Sequence, residues 1–258
     1  MLDYLDALKE DDWMSLVLVC PECFGRLTKK ENLYCVKCDR RYKIVNGIPT
    51  FDHPPQNKRE YYFEMDRYKN IAIKPPKTYH GYQDSMPDAR NDILVPYLRQ
   101  AKGYLNIGQG FGLLEDRVPE LHKICLDQCI EFLQYCKKKN TPKTWYVMGF
   151  GEKMPFQDNY FPAVVSDSVF QTLVDQKEFL VENARVLKKG GTFLLTITYK
   201  WNYPRKPQAF PADDPTLIIS FLRELGINAK HDYIDLKTKS DVHQYKDGDF
   251  LLITGTKL

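Results

Sequence analysis

The stretch Tyr104-Leu105-Asn106-Ile107-Gly108-Gln109-Gly110-Phe111-Gly112 decides how the rest of this chain is read. The apolar run Tyr104 to Ile107 has the length and composition of a buried strand, and it enters three glycines spaced G-x-G-x-G. Glycine lets a strand turn tightly and lets a ligand lie against bare backbone. A short helix is predicted over Leu113 to Val118. Nineteen positions after Gly108, Asp127 closes the next apolar run, Lys123-Ile124-Cys125-Leu126. An acid at that distance, ending a second strand, is placed to accept hydrogen bonds from ribose hydroxyls. Strand, glycine loop, helix and distant acid together point to a nucleoside-bearing cofactor.

Helix and strand patterns alternate around this unit. Ile93, Leu94, Tyr97 and Leu98 mark a helix over Ala89 to Gln100, ahead of the first strand. A second helix is predicted over Gln128 to Lys139 and a third strand over Thr144 to Met148. A fourth strand runs from Ala163 to Phe170, followed by a helix from Lys177 to Leu187. Lys188-Lys189-Gly190-Gly191 reads as that helix's glycine stop, with cations favoured by the helix dipole. Strand Thr192 to Thr198, helix Thr216 to Leu225, and strands Ala229 to Leu236 and Phe250 to Lys257 complete the pattern. The expectation is an α/β fold, a seven-stranded Rossmann-like sheet with helices on both faces. Cys125, Cys129 and Cys136 fall on strand and helix positions suited to burial in its core.

Two Cys-x-x-Cys pairs stand near the N-terminus, Cys20-Pro21-Glu22-Cys23 and Cys35-Val36-Lys37-Cys38. Such pairs place four thiolates tetrahedrally about one Zn²⁺, and a site closed by four thiolates is structural rather than catalytic. So small a unit buries little core, and metal binding would supply much of its folding free energy. From Arg26 to Lys43 there are seven basic residues against two acids, with Tyr34 and Tyr42 among them. This is either a solvated surface, the favoured reading, or a nucleic-acid patch.

The net charge of +3 does not call for a polyanionic partner, and 43% hydrophobic with 28% charged residues describes an ordinary globular protein. No apolar run approaches the roughly 20 residues of a membrane span, so no membrane partner is expected. Asp3, Asp6, Glu10, Asp11 and Asp12 give the N-terminus the wrong charge for a targeting signal, and the paired cysteines suit a reducing cytoplasm. Phe51 to Lys58 reads as a linker. The aromatic helix predicted over Arg59 to Tyr68 either lines a pocket or packs in the core. His80 lies in a stretch without clear period. Trp201, Tyr203 and Phe210 lie in a proline-rich segment between Tyr199 and Pro215, which is a substrate lid or an irregular connection.

At the glycine triplet the chain resembles class I S-adenosylmethionine-dependent methyltransferases, whose first motif reads acid-x-G-x-G-x-G. NAD-binding proteins carry G-x-G-x-x-G instead. The resemblance extends over roughly the last three quarters of the chain. Gly149-Phe150-Gly151-Glu152-Lys153-Met154-Pro155-Phe156-Gln157-Asp158-Asn159-Tyr160-Phe161 follows the family's G-D-A-E-x-L-P-F-x-D-x-x-F, and Arg185 to Gly191 is close to R-V-L-K-P-G-G. It implies that Gly108, Gly110 and Gly112, with Gln109, receive the amino-acid part of S-adenosylmethionine. Asp127 with Gln128 would bind the ribose, and Phe150 and Gly151 would flank the adenine. Asp167 would contact the cofactor or, like His80 and Tyr199, act as a catalytic base. Two departures stand out: Asn106 replaces the first motif's acid, and Phe150 replaces the acid that accepts from the adenine amino group.

The text from Leu18 to Pro49 resembles the zinc ribbon of the small activator subunit of tRNA and protein methyltransferases, with Asn46-Gly47 as its hairpin turn. These resemblances divide the chain into a zinc ribbon, 1–52, and a methyltransferase domain, 53–258. They imply methyl transfer, and the aromatic segment after Tyr199 with the weak net charge favours a small-molecule or lipid-like acceptor. The alternatives are a ribosomal or transfer RNA base as acceptor, or a non-catalytic scaffold that kept the fold and lost the reaction.

Overall fold

The computed structural model describes residues 12–54, 59–73, 86–198, 210, 214–235, 240–241 and 249–258. Helix α1 (Trp13–Val17) leads into β1 (Leu27–Lys29), β2 (Leu33–Cys35), β3 (Arg41–Val45) and β4 (Ile48–Thr50). Then follow α2 (Arg59–Ile73), α3 (Met86–Ala101), β5 (Gly103–Ile107), α4 (Leu113–Arg117), β6 (His122–Asp127), α5 (Ile130–Lys139) and β7 (Thr144–Met148). The chain continues through β8 (Phe161–Asp167), α6 (Gln176–Val186), β9 (Leu187–Thr198), α7 (Pro215–Glu224), β10 (Ile227–Asp235), β11 (Ser240–Asp241) and β12 (Asp249–Lys257).

The strands form one sheet in the order β1-β2-β3-β4-β7-β6-β5-β8-β9-β12-β10-β11. All seven predicted strands are present, but the sheet does not stop at seven: among the described residues it has twelve. The four N-terminal strands extend it beyond β7, and β11 adds a short edge beyond β10. The join is a parallel pairing of β4 with β7 at Thr50 and Met148, where the Phe51 amide donates to the Met148 carbonyl at 2.8 Å. Asn46 and Gly47 both have positive φ, 51° and 72°, as the tight hairpin between β3 and β4 requires. At the other side β12 inserts antiparallel between β9 and β10.

Alternation along the central strands covers both sheet faces. Leu105, Ile107, Ile124 and Leu126 point into one apolar cluster, which also contains Trp13, Met14, Val17 and Leu18 of the N-terminal unit and Phe179 of α6. Tyr104, Val165, Leu194 and Phe250 point into the opposite cluster, under Leu94 and Leu98 of α3. The N-terminal unit therefore shares its core with the sheet. Lys123 is fully buried, and its ammonium donates to the carbonyls of Val118, Leu121 and Pro142 at 3.0–3.1 Å.

Two local expectations are corrected. The fourth strand ends at Asp167 rather than Phe170, because Ser168 takes a positive φ of 60° and a 3₁₀ turn follows over Phe170–Thr172. Lys188 to Gly191 is not a helix stop. The chain turns extended at Leu187, pairs there with Phe161, and rejoins the ladder only at Thr192 opposite Ala163, so the four residues form a bulge in β9. No glycine cap is needed, because the amides of Asn159 and Tyr160 reach back to the carbonyls of Arg185 and Val186.

Arg185 joins the N-terminal unit to the sheet. Its guanidinium donates to Glu182 Oε2 at 2.8 Å, Asp158 Oδ1 at 2.7 Å and the carbonyls of Phe156 and Met154 at 2.6 and 3.0 Å. It also lies 4.8 Å over the ring of Phe24. Glu182 is almost wholly buried, so removing its partner strands a charge. Arg185→Met is expected to destabilise the fold by about 3 kcal/mol, read as a lower urea midpoint at unchanged slope. An unchanged midpoint would show that Glu182 finds compensation elsewhere.

Candidate functional site

The site is built on the carboxyl ends of β5, β6 and β8. Gly108, Gly110 and Gly112 all have positive φ (75°, 55° and 68°), a region that side chains other than glycine rarely tolerate. Their reasons differ. A Cβ on Gly108 would stand 2.3 Å from Val169 Cγ2, and one on Gly112 would stand 2.9 Å from Cys136 Sγ. A Cβ on Gly110 would meet nothing within 4 Å. The first and third glycines thus serve packing, and the second leaves open backbone where a ligand can lie. Beside it Gln109 is buried, and among the described residues neither its amide oxygen nor its amide nitrogen has a partner.

Asp127 ends β6 beneath this loop. Its Oδ2 accepts from the Gly110 amide at 3.0 Å and its Oδ1 from the Cys129 amide at 2.8 Å. Burial pushes its carboxyl up from 3.8 to about 6, against the pull of those two amides. Gln128 is half-buried beside it. Helix α2 packs across the same side: Tyr68 lies 6.5 Å from Phe132, which meets Phe111 edge-on at 4.8 Å. Cys125, Cys129 and Cys136 are buried free thiols, as expected.

Asn106 does not stand alone in place of an acid. Its Nδ2 donates at 2.7 Å to Oε1 of Glu115, a buried residue of α4. Burial raises the Glu115 carboxyl above its ordinary range. Glu115 has no role assigned from the sequence. Its one signal was its position directly after the apolar pair Leu113-Leu114, at the start of α4.

At the end of β8, the pairing of Asn106 with Val165 sets Asp167 level with Gly108. Its carboxylate is fully engaged. Arg90 Nε donates to Oδ2 at 3.3 Å and lies 3.0 Å from Oδ1, Ser168 Oγ donates to Oδ1 at 3.1 Å, and Thr196 Oγ1 bonds Oδ1 as well. That arrangement braces α3 against the strand end. Arg90 is a second residue that sequence reading did not find. His80 and Tyr199 lie outside the described residues, as do Trp201 and Tyr203. Phe210 is buried against Phe170 and Phe221.

The segment after β7 is packed tightly. Phe150 is 2% exposed, and a Cβ on Gly151 would stand 2.8 Å from the Phe179 ring. Glu152 is buried, accepts from the Val174 amide at 3.3 Å, and is pushed up to about 7 by loss of water. The same segment touches the cysteine unit. Lys153 pairs with Glu22 at 2.6 Å, the Val19 amide donates to the Pro155 carbonyl at 2.9 Å, and Gln157 donates to the Leu16 carbonyl.

Cys20, Cys23, Cys35 and Cys38 converge, with all four sulfurs within 4.8 Å of one another. Cys20 lies 3.6 Å from Cys38, and Cys23 lies 3.5 Å from Cys35. Tetrahedral zinc with bonds of about 2.3 Å sets its sulfurs roughly 3.8 Å apart, so the cluster is compatible with zinc. Both knuckles end on a left-handed residue, Phe24 (φ 53°) and Asp39 (φ 58°), and the Tyr42 hydroxyl lies 3.0 Å from Cys20 Sγ.

A group whose folded pKa lies above its unfolded value stabilises the fold fully below the unfolded value, and loses that contribution as pH rises through the folded one. Asp127 is such a group. Relative to Asp127→Asn, the wild-type protein is expected to lose on the order of 3 kcal/mol of stability between about pH 4 and pH 7. Urea unfolding at stepped pH measures this; a difference independent of pH would mean that the carboxylate is well solvated.

Residues 105–195 match a family model described as a methyltransferase domain. No curated protein matches the chain by sequence. Solved structures share its fold. A putative S-adenosylmethionine-dependent methyltransferase from Listeria monocytogenes is 16% identical, with a TM-score of 0.51 over 67% of this chain and 99% of that one. The [4+2]-cyclase SpnF is 15% identical, with a TM-score of 0.52 over 66% of this chain and 80% of that one. A complex of the Haloferax volcanii Trm112 methyltransferase activator and a putative methyltransferase contains a chain 16% identical, with a TM-score of 0.50 over 73% of this chain and 96% of that one. With the glycine loop at the carboxyl edge of the sheet, residues 105–195 of this chain match a methyltransferase domain.

Proposed function

We propose that the chain transfers a methyl group from S-adenosylmethionine to a small-molecule or lipid-like acceptor. The observation that carries this reading is the open, positive-φ Gly110, whose amide is held 3.0 Å from the Asp127 carboxylate at the ends of adjacent strands. Gly108, Gln109, Gly110 and Gly112 would receive the amino-acid part, Asp127 and Gln128 the ribose, and Phe150 and Gly151 would border the adenine. The bound cofactor supplies a methyl group already activated on a sulfonium. The residues of the chain then have to bind, orient and exclude water. We assign Asp167 to bracing the mouth with Arg90 rather than to proton removal.

The cysteine unit, 1–52, would hold a structural zinc and, by its resemblance to activator subunits, buttress the domain formed by 53–258. Its β4 extends the sheet and its knuckle touches Lys153 and Pro155, next to the proposed adenine border. A second reading, an RNA base as acceptor, is favoured by one feature. All seven cations from Arg26 to Lys43 are exposed, and Arg41 lies 6.0 Å over the Tyr34 ring. No helix among the described residues is long and apolar enough to cross a membrane.

Calorimetric titration of the full chain with S-adenosylmethionine and S-adenosylhomocysteine is expected to give micromolar binding, and Asp127→Ala should weaken it by more than about tenfold. Absence of binding at millimolar ligand would overturn the reading and favour a scaffold that kept the fold. RNA binding that falls steeply with salt would favour the second acceptor.

A further inference from the structure

Among the described residues, three buried acceptor oxygens near the glycine loop have no N–H or O–H donor: Asn106 Oδ1, Gln109 Oε1 and Glu115 Oε2. Buried polar atoms are rarely left so, and several together at the end of a central strand indicate a ligand that brings hydrogen to them. The arrangement fixes which atoms remain free. Glu115 Oε1 accepts from Asn106 Nδ2 at 2.7 Å and from the Tyr104 hydroxyl at 3.3 Å. The donor end of the Asn106 amide is thereby tied to the carboxyl, and its oxygen is left as an acceptor. Glu115 Oε2 lies 3.6 Å from the point where a Cβ on Gly112 would stand, so the carboxyl sits against the third glycine.

Among the described residues no cation bonds this carboxyl, and the Cys125 thiol beside it is only a weak donor. Lys123 is near enough to influence it, but its three N–H bonds go to the carbonyls of Val118, Leu121 and Pro142. The unmet need is for a cationic group rich in donors, and an ammonium offers three. A carboxylate hydrogen-bonded to the nitrogen of an amide also draws electron density toward the amide oxygen, making it a better acceptor for such a group.

We propose that Asn106 and Glu115 work as a pair that receives the cationic amino end of the cofactor, with Asn106 touching it and Glu115 as the positioning residue behind it. The inference rests on the S-adenosylmethionine reading above. The acid absent from position 106 is supplied nine residues later by α4, through an amide.

The test compares two ligands on the full chain by calorimetry. S-adenosylhomocysteine keeps the amino-acid end, whereas 5′-methylthioadenosine lacks it. Glu115→Gln and, separately, Asn106→Leu should each weaken S-adenosylhomocysteine by about tenfold or more and leave 5′-methylthioadenosine within about twofold. Combining Asn106→Asp with Glu115→Gln, which moves the charge onto the contacting residue, should restore most of the lost affinity. Melting curves identify the variants that fold, and either single substitution alone decides the matter. Equal weakening of both ligands, or of neither, overturns the pair, as does a wild-type protein that binds the two equally well. A wild-type protein that binds neither overturns the cofactor reading itself, and the pair with it.

Discussion

The two hydrogen bonds received by the Asp127 carboxylate tie together three parts of the structure that are separate in sequence. One comes from the middle glycine of the loop after β5 and the other from the start of α5, while Asp127 itself ends β6. A backbone with three left-handed glycines in five residues has only Gln109 and Phe111 as side chains with which to hold a shape. The carboxylate supplies an external anchor for the loop, and burial makes that anchor directional and strong. The same burial raises the carboxyl's pKa, so the group that orders the loop also carries a standing desolvation penalty. Such a penalty is typical of sites organised for a ligand rather than for maximum stability.

Around that anchor the molecule is continuous where a two-unit reading would allow a hinge. The β4–β7 pairing makes the N-terminal hairpins part of the central sheet, and one apolar cluster runs from Trp13 to Ile253. The cysteine knuckle and the segment after β7 are linked by an ion pair, a main-chain bond and the stacking of Arg185 over Phe24. A change in the geometry of the four sulfurs would reach Lys153 and Pro155 through these contacts without crossing a flexible linker.

The places where sequence and structure part have specific causes. Lys188 to Gly191 has the composition of a helix stop, yet the helix is closed by amides from Asn159 and Tyr160, more than twenty residues earlier. The fourth strand is shortened by the left-handed Ser168, whose own amide is held by Thr196 Oγ1 across the sheet. Asn106 read in isolation is a lost charge; read with Glu115 it is part of a carboxyl–amide pair. Asp167 reads as a cofactor contact or candidate base at a strand end, and Arg90, 77 residues earlier, bonds it. In each case the missing partner is far away in sequence or on a neighbouring element, so local pattern contained no sign of it.

The sequence by itself determined the seven central strands, the glycine loop, the acid at Asp127, the paired cysteines and the hairpin at Asn46-Gly47. All of these rest on short-range rules: alternation, the φ that only glycine tolerates freely, and ligand spacing within a knuckle. Tertiary structure decided how far the sheet extends, which glycine faces open space, which carboxyls are engaged, and that a buried acid stands behind Asn106. Those outcomes depend on which distant atoms come within hydrogen-bonding or van der Waals distance, and on whether water is excluded there. Such proximity is a property of the packed chain and not of any window of its sequence.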